Sequence, residues 1–79
     1  MPFELTTKED RIRTCYMQAC LAYVNFEAVA NADIRRTFGL GEKKAQGTRI
    51  LKDALAAGLI KPVDPSAAPR NMRYIPFWA

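Results

Sequence analysis

The sequence predicts a mainly α-helical domain that ends in a small β-hairpin. Three observations predict it. Apolar residues recur at three- and four-residue steps through most of residues 8–57. Gly39 and Gly58 stand directly after two of these periodic stretches, where a left-handed residue ends a helix at low cost. Two short stretches, 59–63 and 72–78, then flank a loop rich in proline and alanine.

The first helix is expected over residues 8–25. Thr7 and Asp10 have the spacing of a capping box, with Asp in place of Glu. Glu9 and Asp10 place negative charge in the first turn, which suits the helix dipole. Ile12, Cys15, Tyr16, Ala19, Cys20, Tyr23 and Val24 form the apolar stripe. Met17 and Leu21 widen it, so the helix is expected to contact neighbours on two sides. Phe26 to Ala30 reads as a turn or a single β-bridge. Asn31 is a good N-cap, and a short second helix, Ala32 to Phe38, follows. Gly39-Leu40-Gly41 is a tight connection that joins two helices at a steep angle.

The third helix is expected from Glu42 to Ala57, with Ala45, Ile50, Leu51, Ala54 and Leu55 as its apolar stripe. Gly47 inside it costs about 1 kcal/mol relative to alanine. Close helix packing explains that glycine better than close approach of a phosphate backbone. Leu59 to Val63 reads as a strand, and Pro62 confines it to a sheet edge. Asp64 to Asn71 is a loop, and Met72 to Trp78 is the return strand. Alternation puts Met72, Tyr74, Pro76 and Trp78 on one face of that strand and Arg73, Ile75 and Phe77 on the other. Three helices with a tight second turn, followed by a hairpin, is the order of a winged helix-turn-helix with a two- to three-stranded wing.

The chain has 79 residues, the size of one domain, and the expected domain spans 1–79. Apolar residues make up 49% and charged residues 25%, so disorder is excluded as the main state. No apolar run approaches the ~18 residues needed to span a bilayer. The first ten residues lack the pattern of a signal peptide. The expected setting is therefore cytoplasmic. The chain has no histidine, which removes the commonest metal ligand and the commonest general base together. Cys15 and Cys20 point about 140° apart on a helix, so they are read as reduced, apolar side chains without metal-site spacing. Neither a catalytic constellation nor a phosphate-binding loop is present. The expectation is a non-enzymatic domain without metal or cofactor.

Net charge is +4, from 12 basic and 8 acidic residues. Residues 1–41 balance, and the whole excess falls in residues 42–79. A one-sided basic face attracts polyanions. In a helix-turn-helix, the second helix of the pair enters the major groove. Here that is the third helix of the chain. Arg49 can fork two bonds to guanine and Gln46 can do the same for adenine. Lys43 and Lys44, in its first turn, reach phosphates or base edges. Lys52 suits a phosphate and Thr48 a methyl or a phosphate. Lys61, Arg70 and Arg73 place charge on the wing, for the adjacent phosphates or the minor groove. The same lysines and arginines also suit a solvated helix face. The aromatic residues Tyr16, Tyr23, Phe26, Phe38, Tyr74, Phe77 and Trp78 read as packing groups rather than base-stacking platforms. Trp78, terminal and large, could instead dock on another domain or a second copy.

The stretch Asn31-Ala-Asp-Ile-Arg-Arg-Thr-Phe-Gly-Leu carries a resemblance, together with Ala54-Leu-Ala-Ala-Gly-Leu-Ile-Lys-Pro and the ending Met72-Arg-Tyr-Ile-Pro-Phe-Trp-Ala79. From about Asp10 onward the chain resembles the C-terminal domain of bacterial transcriptional regulators and RecG-related ATP-dependent DNA helicases. The N-terminal parts of those proteins are of the Schlafen AlbA-like, ATP-binding type. The resemblance implies a C-terminal fragment of a longer protein, whose ATP-binding or helicase activity would reside outside these residues. Two functions are thus expected. One is a winged-helix module that binds double-stranded DNA. The other is an interaction winged helix, with its own N-terminal domain or a homodimer as partner and no direct DNA contact.

Overall fold

A computed structural model describes residues 7–68 and 71–79. Its elements run in the order α1 (Lys8–Val24), α2 (Asn31–Phe38), α3 (Lys44–Ala56), β1 (Ile60–Pro62) and β2 (Tyr74–Pro76). This is the expected mainly helical architecture with a small antiparallel hairpin, a winged-helix-like fold.

Thr7 opens α1 with the expected capping box. Its Oγ1 accepts from the Asp10 amide at 3.1 Å, and Asp10 Oδ2 accepts from the Thr7 amide at 3.4 Å. At the other end the Asn25 side chain donates to the Leu21 carbonyl. The chain then reverses through Phe26, whose φ is +61°. A left-handed backbone costs a side chain of this kind roughly 1–2 kcal/mol. The Phe26 ring is 99% exposed, against the expectation that it packs. Val29 follows as the expected single bridge, exchanging two backbone bonds with Tyr74.

The start of α2 differs from its reading. Ala30 is the N-cap, in an extended conformation, and Asn31 is already helical. Asp33 supplies the missing acceptor, taking the Ala30 amide at 2.9 Å. Asn31 is thereby free for a tertiary role. Gly39 closes the helix in the left-handed conformation, with φ +66°. The turn is longer than expected, because Lys43 is non-helical (ψ 72°) and α3 begins at Lys44 rather than Glu42. Leu40 is buried within this turn and anchors it to the core.

Phe38, Ile34, Ile50, Val29 and Cys15 are the fully buried centre, joined by Ala19, Leu51, Ala54 and Ile60. Burying a side chain such as Phe38 contributes about 1.5–3 kcal/mol. Inside α1, Cys15 and Ala19 are buried in this core, and Ile12 and Ala22 pack against it. Small side chains there let α3 and β2 pack closely on the helix. Met17 and Leu21 stay exposed, so the expected second packing side of α1 is uncovered. Both cysteines are free thiols.

The hairpin register is Ile60 to Pro76, Lys61 to Ile75 and Pro62 to Tyr74. Tyr74 directs its own amide and carbonyl to Val29, on its other side. Pro62 therefore faces Tyr74 at a position that needs no ladder donor, which is why proline is tolerated there. The expected strand alternation holds to Pro76 and then stops. The Ala79 amide bonds back to the Pro76 carbonyl, and the turn swings both Phe77 and Trp78 onto α1. Phe77 stacks on Tyr16 with ring centres 6.1 Å apart, and Trp78 meets Tyr23 edge-on at 5.4 Å. Trp78 Nε1 donates to the Tyr16 hydroxyl at 2.9 Å. These aromatic groups pack, as expected, although the two faces assigned to them merge.

Candidate nucleic-acid interface

α3 buries Gly47, Ile50, Leu51 and Ala54. At about 100° per residue, the opposite arc carries Ala45, Thr48, Arg49 and Lys52. All four are exposed, and so are Lys43 and Lys44 at the start of the helix. Lys43, Lys44, Arg49 and Lys52 form no ion pair or side-chain hydrogen bond among the described residues. Other cations are engaged: Arg36 pairs with Asp33 at 3.3 Å, and Lys8 lies 3.9 Å from Asp53.

One polar network sets the position of α3. The Asn31 amide nitrogen donates to the Lys44 carbonyl at 3.2 Å and to Thr48 Oγ1 at 3.0 Å. Its oxygen accepts from Arg35 Nε at 2.8 Å, and a guanidinium nitrogen of Arg35 donates to the Gly41 carbonyl at 2.9 Å. Three of these hydrogen bonds tie α2 to the turn and to the first turns of α3, and the fourth, within α2, orients Arg35 and Asn31 for them. Gly47 is what lets the helices come this close. A Cβ there would lie 2.9 Å from Asn31 Nδ2 and 3.1 Å from Arg35 Cγ. The packing explanation of this glycine holds, and Gly47 is buried rather than presented to solvent.

The N-terminus of α3 breaks the pattern of the other two helices. Lys43 sits at its N-cap with no side-chain cap bond, and the first turn holds no acidic residue. Two lysines at the positive end of a helix dipole are unfavourable in isolation. The arrangement suits an anion brought from outside.

The candidate residues divide between two places. Thr48 and Lys52 line a groove with Asn31, Leu51, Met72 and Tyr74, between α3 and the hairpin. Arg49 lies on the other flank of the exposed arc. Arg73 lines a separate depression with Tyr23, Phe26, Glu27, Asp33 and Ile75. Lys61 pairs opposite Ile75 and so shares that second face of the hairpin. The wing cations and the helix cations are not brought together. Arg70 lies outside the described residues.

Two assignments change in detail. Gln46 is only half-exposed, and its Oε1 is enclosed without a hydrogen-bond partner. Thr48 is exposed, but its hydroxyl already accepts from Asn31. Ala45 was expected in the apolar stripe and is exposed instead, beside Thr48 and Arg49. A helical wheel finds it, since position 45 lies about 170° from the midpoint of Gly47 and Ile50. A small residue there lets the helix approach a groove floor and can contact a thymine methyl.

Fold and site together define a small winged-helix-like domain whose third helix carries a basic face without ion-pair partners among the described residues. No protein-family profile, curated protein or solved structure matches the chain. Among the described residues no cluster of histidine, cysteine, aspartate or glutamate could hold a metal ion, and no helix is long and apolar enough to cross a membrane.

Proposed function

We propose that this chain is a DNA-binding winged-helix module, with α3 lying in the major groove. The observation that carries the reading is the exposed arc of α3. Together with the start of the helix it presents four cations that have no partner among the described residues, Lys43 and Lys44 at the N-terminus and Arg49 and Lys52 on the arc, beside the small side chain of Ala45 and with no acidic residue in the first turn. In this arrangement Lys43 and Lys44 take a phosphate at the first turn. Arg49 reads a base edge, with a planar fork that matches guanine O6 and N7. Lys52, in the groove facing the hairpin, takes the phosphates on that side. Lys61 and Arg73 sit on the far face of the hairpin and act as long-range attraction rather than direct contacts. The parent class favoured by the sequence resemblance is a transcriptional regulator or RecG-related helicase protein, for which this module would position the rest on DNA.

The test is an amide NMR titration of the chain with a duplex of random sequence, followed by Arg49→Ala. Shifts concentrated in residues 43–53 are expected. Arg49→Ala should lose about 1–3 kcal/mol of affinity for a preferred site and relax its sequence preference. Unchanged affinity and preference would remove the base-reading role of Arg49. Absence of shifts in α3 at low salt would transfer the function to protein interaction alone.

A further inference from the structure

The first two turns of the exposed arc of α3 carry small groups between the cations. Ala45 lies opposite the buried residues, with Thr48 about 60° to one side of it and Arg49 about 40° to the other. Thr48 is exposed, yet its hydroxyl is turned toward α2, where it accepts from Asn31 Nδ2 at 3.0 Å. The group left for the outside is its methyl. The same Asn31 nitrogen donates to the Lys44 carbonyl at 3.2 Å, which fixes the first turn of α3 and the Ala45 methyl with it. Gly47 admits Asn31 this closely, so one side chain sets the place of both methyls.

Residues three apart on a helix hold their Cβ atoms about 5–6 Å from one another. Two carbons at that spacing form a seat for a single methyl group, which touches both at about 4 Å. Among the base edges of the major groove only thymine carries such a group. An amino or carbonyl edge brought against the same seat would lose its water and gain no partner. We infer that Ala45 and Thr48 are specificity-determining residues for thymine, in contact with its C5 methyl, and that Asn31 is the residue that positions them. The inference rests on the DNA-binding reading and names a base that α3 selects. Arg49 begins one turn beyond Ala45, about 6 Å along the helix axis. With successive bases about 3.4 Å apart, the thymine lies within about two base pairs of the guanine that Arg49 reads.

The test begins with a pool of random-sequence duplexes, from which the native chain selects its preferred site at low salt. Each thymine of the selected duplex is then replaced in turn by uracil, which deletes the C5 methyl and leaves the pairing edge intact. At one position near a guanine, uracil should weaken binding about fourfold, the effect of one buried methyl group. Thr48→Ser, folded by circular dichroism, should bring that thymine-to-uracil ratio below about twofold, whereas Thr48→Val, which keeps a methyl in the same place, should retain it. Asn31→Ala should also lower the ratio, which a change in the folded fraction alone leaves untouched. Equal binding of the thymine and uracil duplexes at every position overturns the inference and leaves the DNA-binding reading standing. So does a ratio that survives Thr48→Ser, or one that Thr48→Val abolishes. An unchanged ratio in Asn31→Ala overturns the positioning role of Asn31. Failure to select or bind any duplex at low salt overturns this inference and the DNA-binding reading together.

Discussion

Cys15 couples the core to solution pH through one side chain. Burial pushes its thiol from an ordinary value of 9.0 up to about 12. Below about pH 9 the thiol is protonated in folded and unfolded chains alike, and stability does not depend on it. Between about 9 and 12 the unfolded chain releases a proton that the folded chain keeps. Unfolding is then favoured by up to about 1.4 kcal/mol per pH unit. Tyr74 acts in the same sense at higher pH, raised by its own burial and by the neighbouring Cys15. Urea midpoints should accordingly be flat from about pH 7 to 8.5 and fall above 9, and Cys15→Ala should flatten the decline. An unchanged slope in that variant would assign the pH dependence elsewhere. Cys15 was readable in advance because it lies on the periodic stripe. Phe26 was not, since nothing in its neighbours announces a left-handed backbone and a solvated ring.

At the scale of elements, the helix-turn-helix is held by the contact between Asn31 and Gly47. Asn31→Ala removes two donated bonds and the acceptor for Arg35. The expected cost is about 1–3 kcal/mol, since each exposed bond contributes near 1 kcal/mol net. Gly47→Ala should also destabilise, although alanine is the better helix former by about 1 kcal/mol, because its Cβ meets the Asn31 amide. The double variant frees that space and should cost less than the sum of the single changes. A denaturation cycle over the four proteins checks this, and strict additivity would show that the two residues do not act on each other. The helix ends were partly readable. Thr7–Asp10 and Gly39 follow local rules, and the structure obeys them. Asn31 reads equally well as a cap, and only its neighbours across the turn draw it into the helix. Lys43 likewise reads as helical until the longer turn places it at the cap.

At the scale of the whole molecule, the basic residues of α3 separate from those of the hairpin. Binding to duplex DNA should therefore depend on salt through about four contacts, from Lys43, Lys44, Arg49 and Lys52. The expected slope of log affinity against log salt is about −3 to −5, or a loss of about 30- to 250-fold between 50 and 150 mM. Fluorescence anisotropy measures it directly. A slope near zero would contradict phosphate contact. Replacing both Lys61 and Arg73 with glutamine should change the slope by less than one unit, because they occupy the opposite face of the hairpin. Counting charge along the chain locates the excess in residues 42–79 but cannot divide it this way. The division follows from strand register and from which side of the sheet α3 covers.

The sequence alone determined the element order, the capping of α1, the left-handed glycines, the edge role of Pro62 and the packing reason for Gly47. All of these follow from local geometry: a period of 3.6, a cap three residues from its partner, a missing donor. The tertiary structure alone decided that Gln46 is half-enclosed and that the terminal aromatic groups turn onto α1. It also decided that Met17, Leu21, Val24 and Phe26 remain uncovered. Those outcomes depend on which face of each helix meets a neighbour. A stripe pattern shows that a face is apolar, and only the assembled elements show how many neighbours there are to cover it.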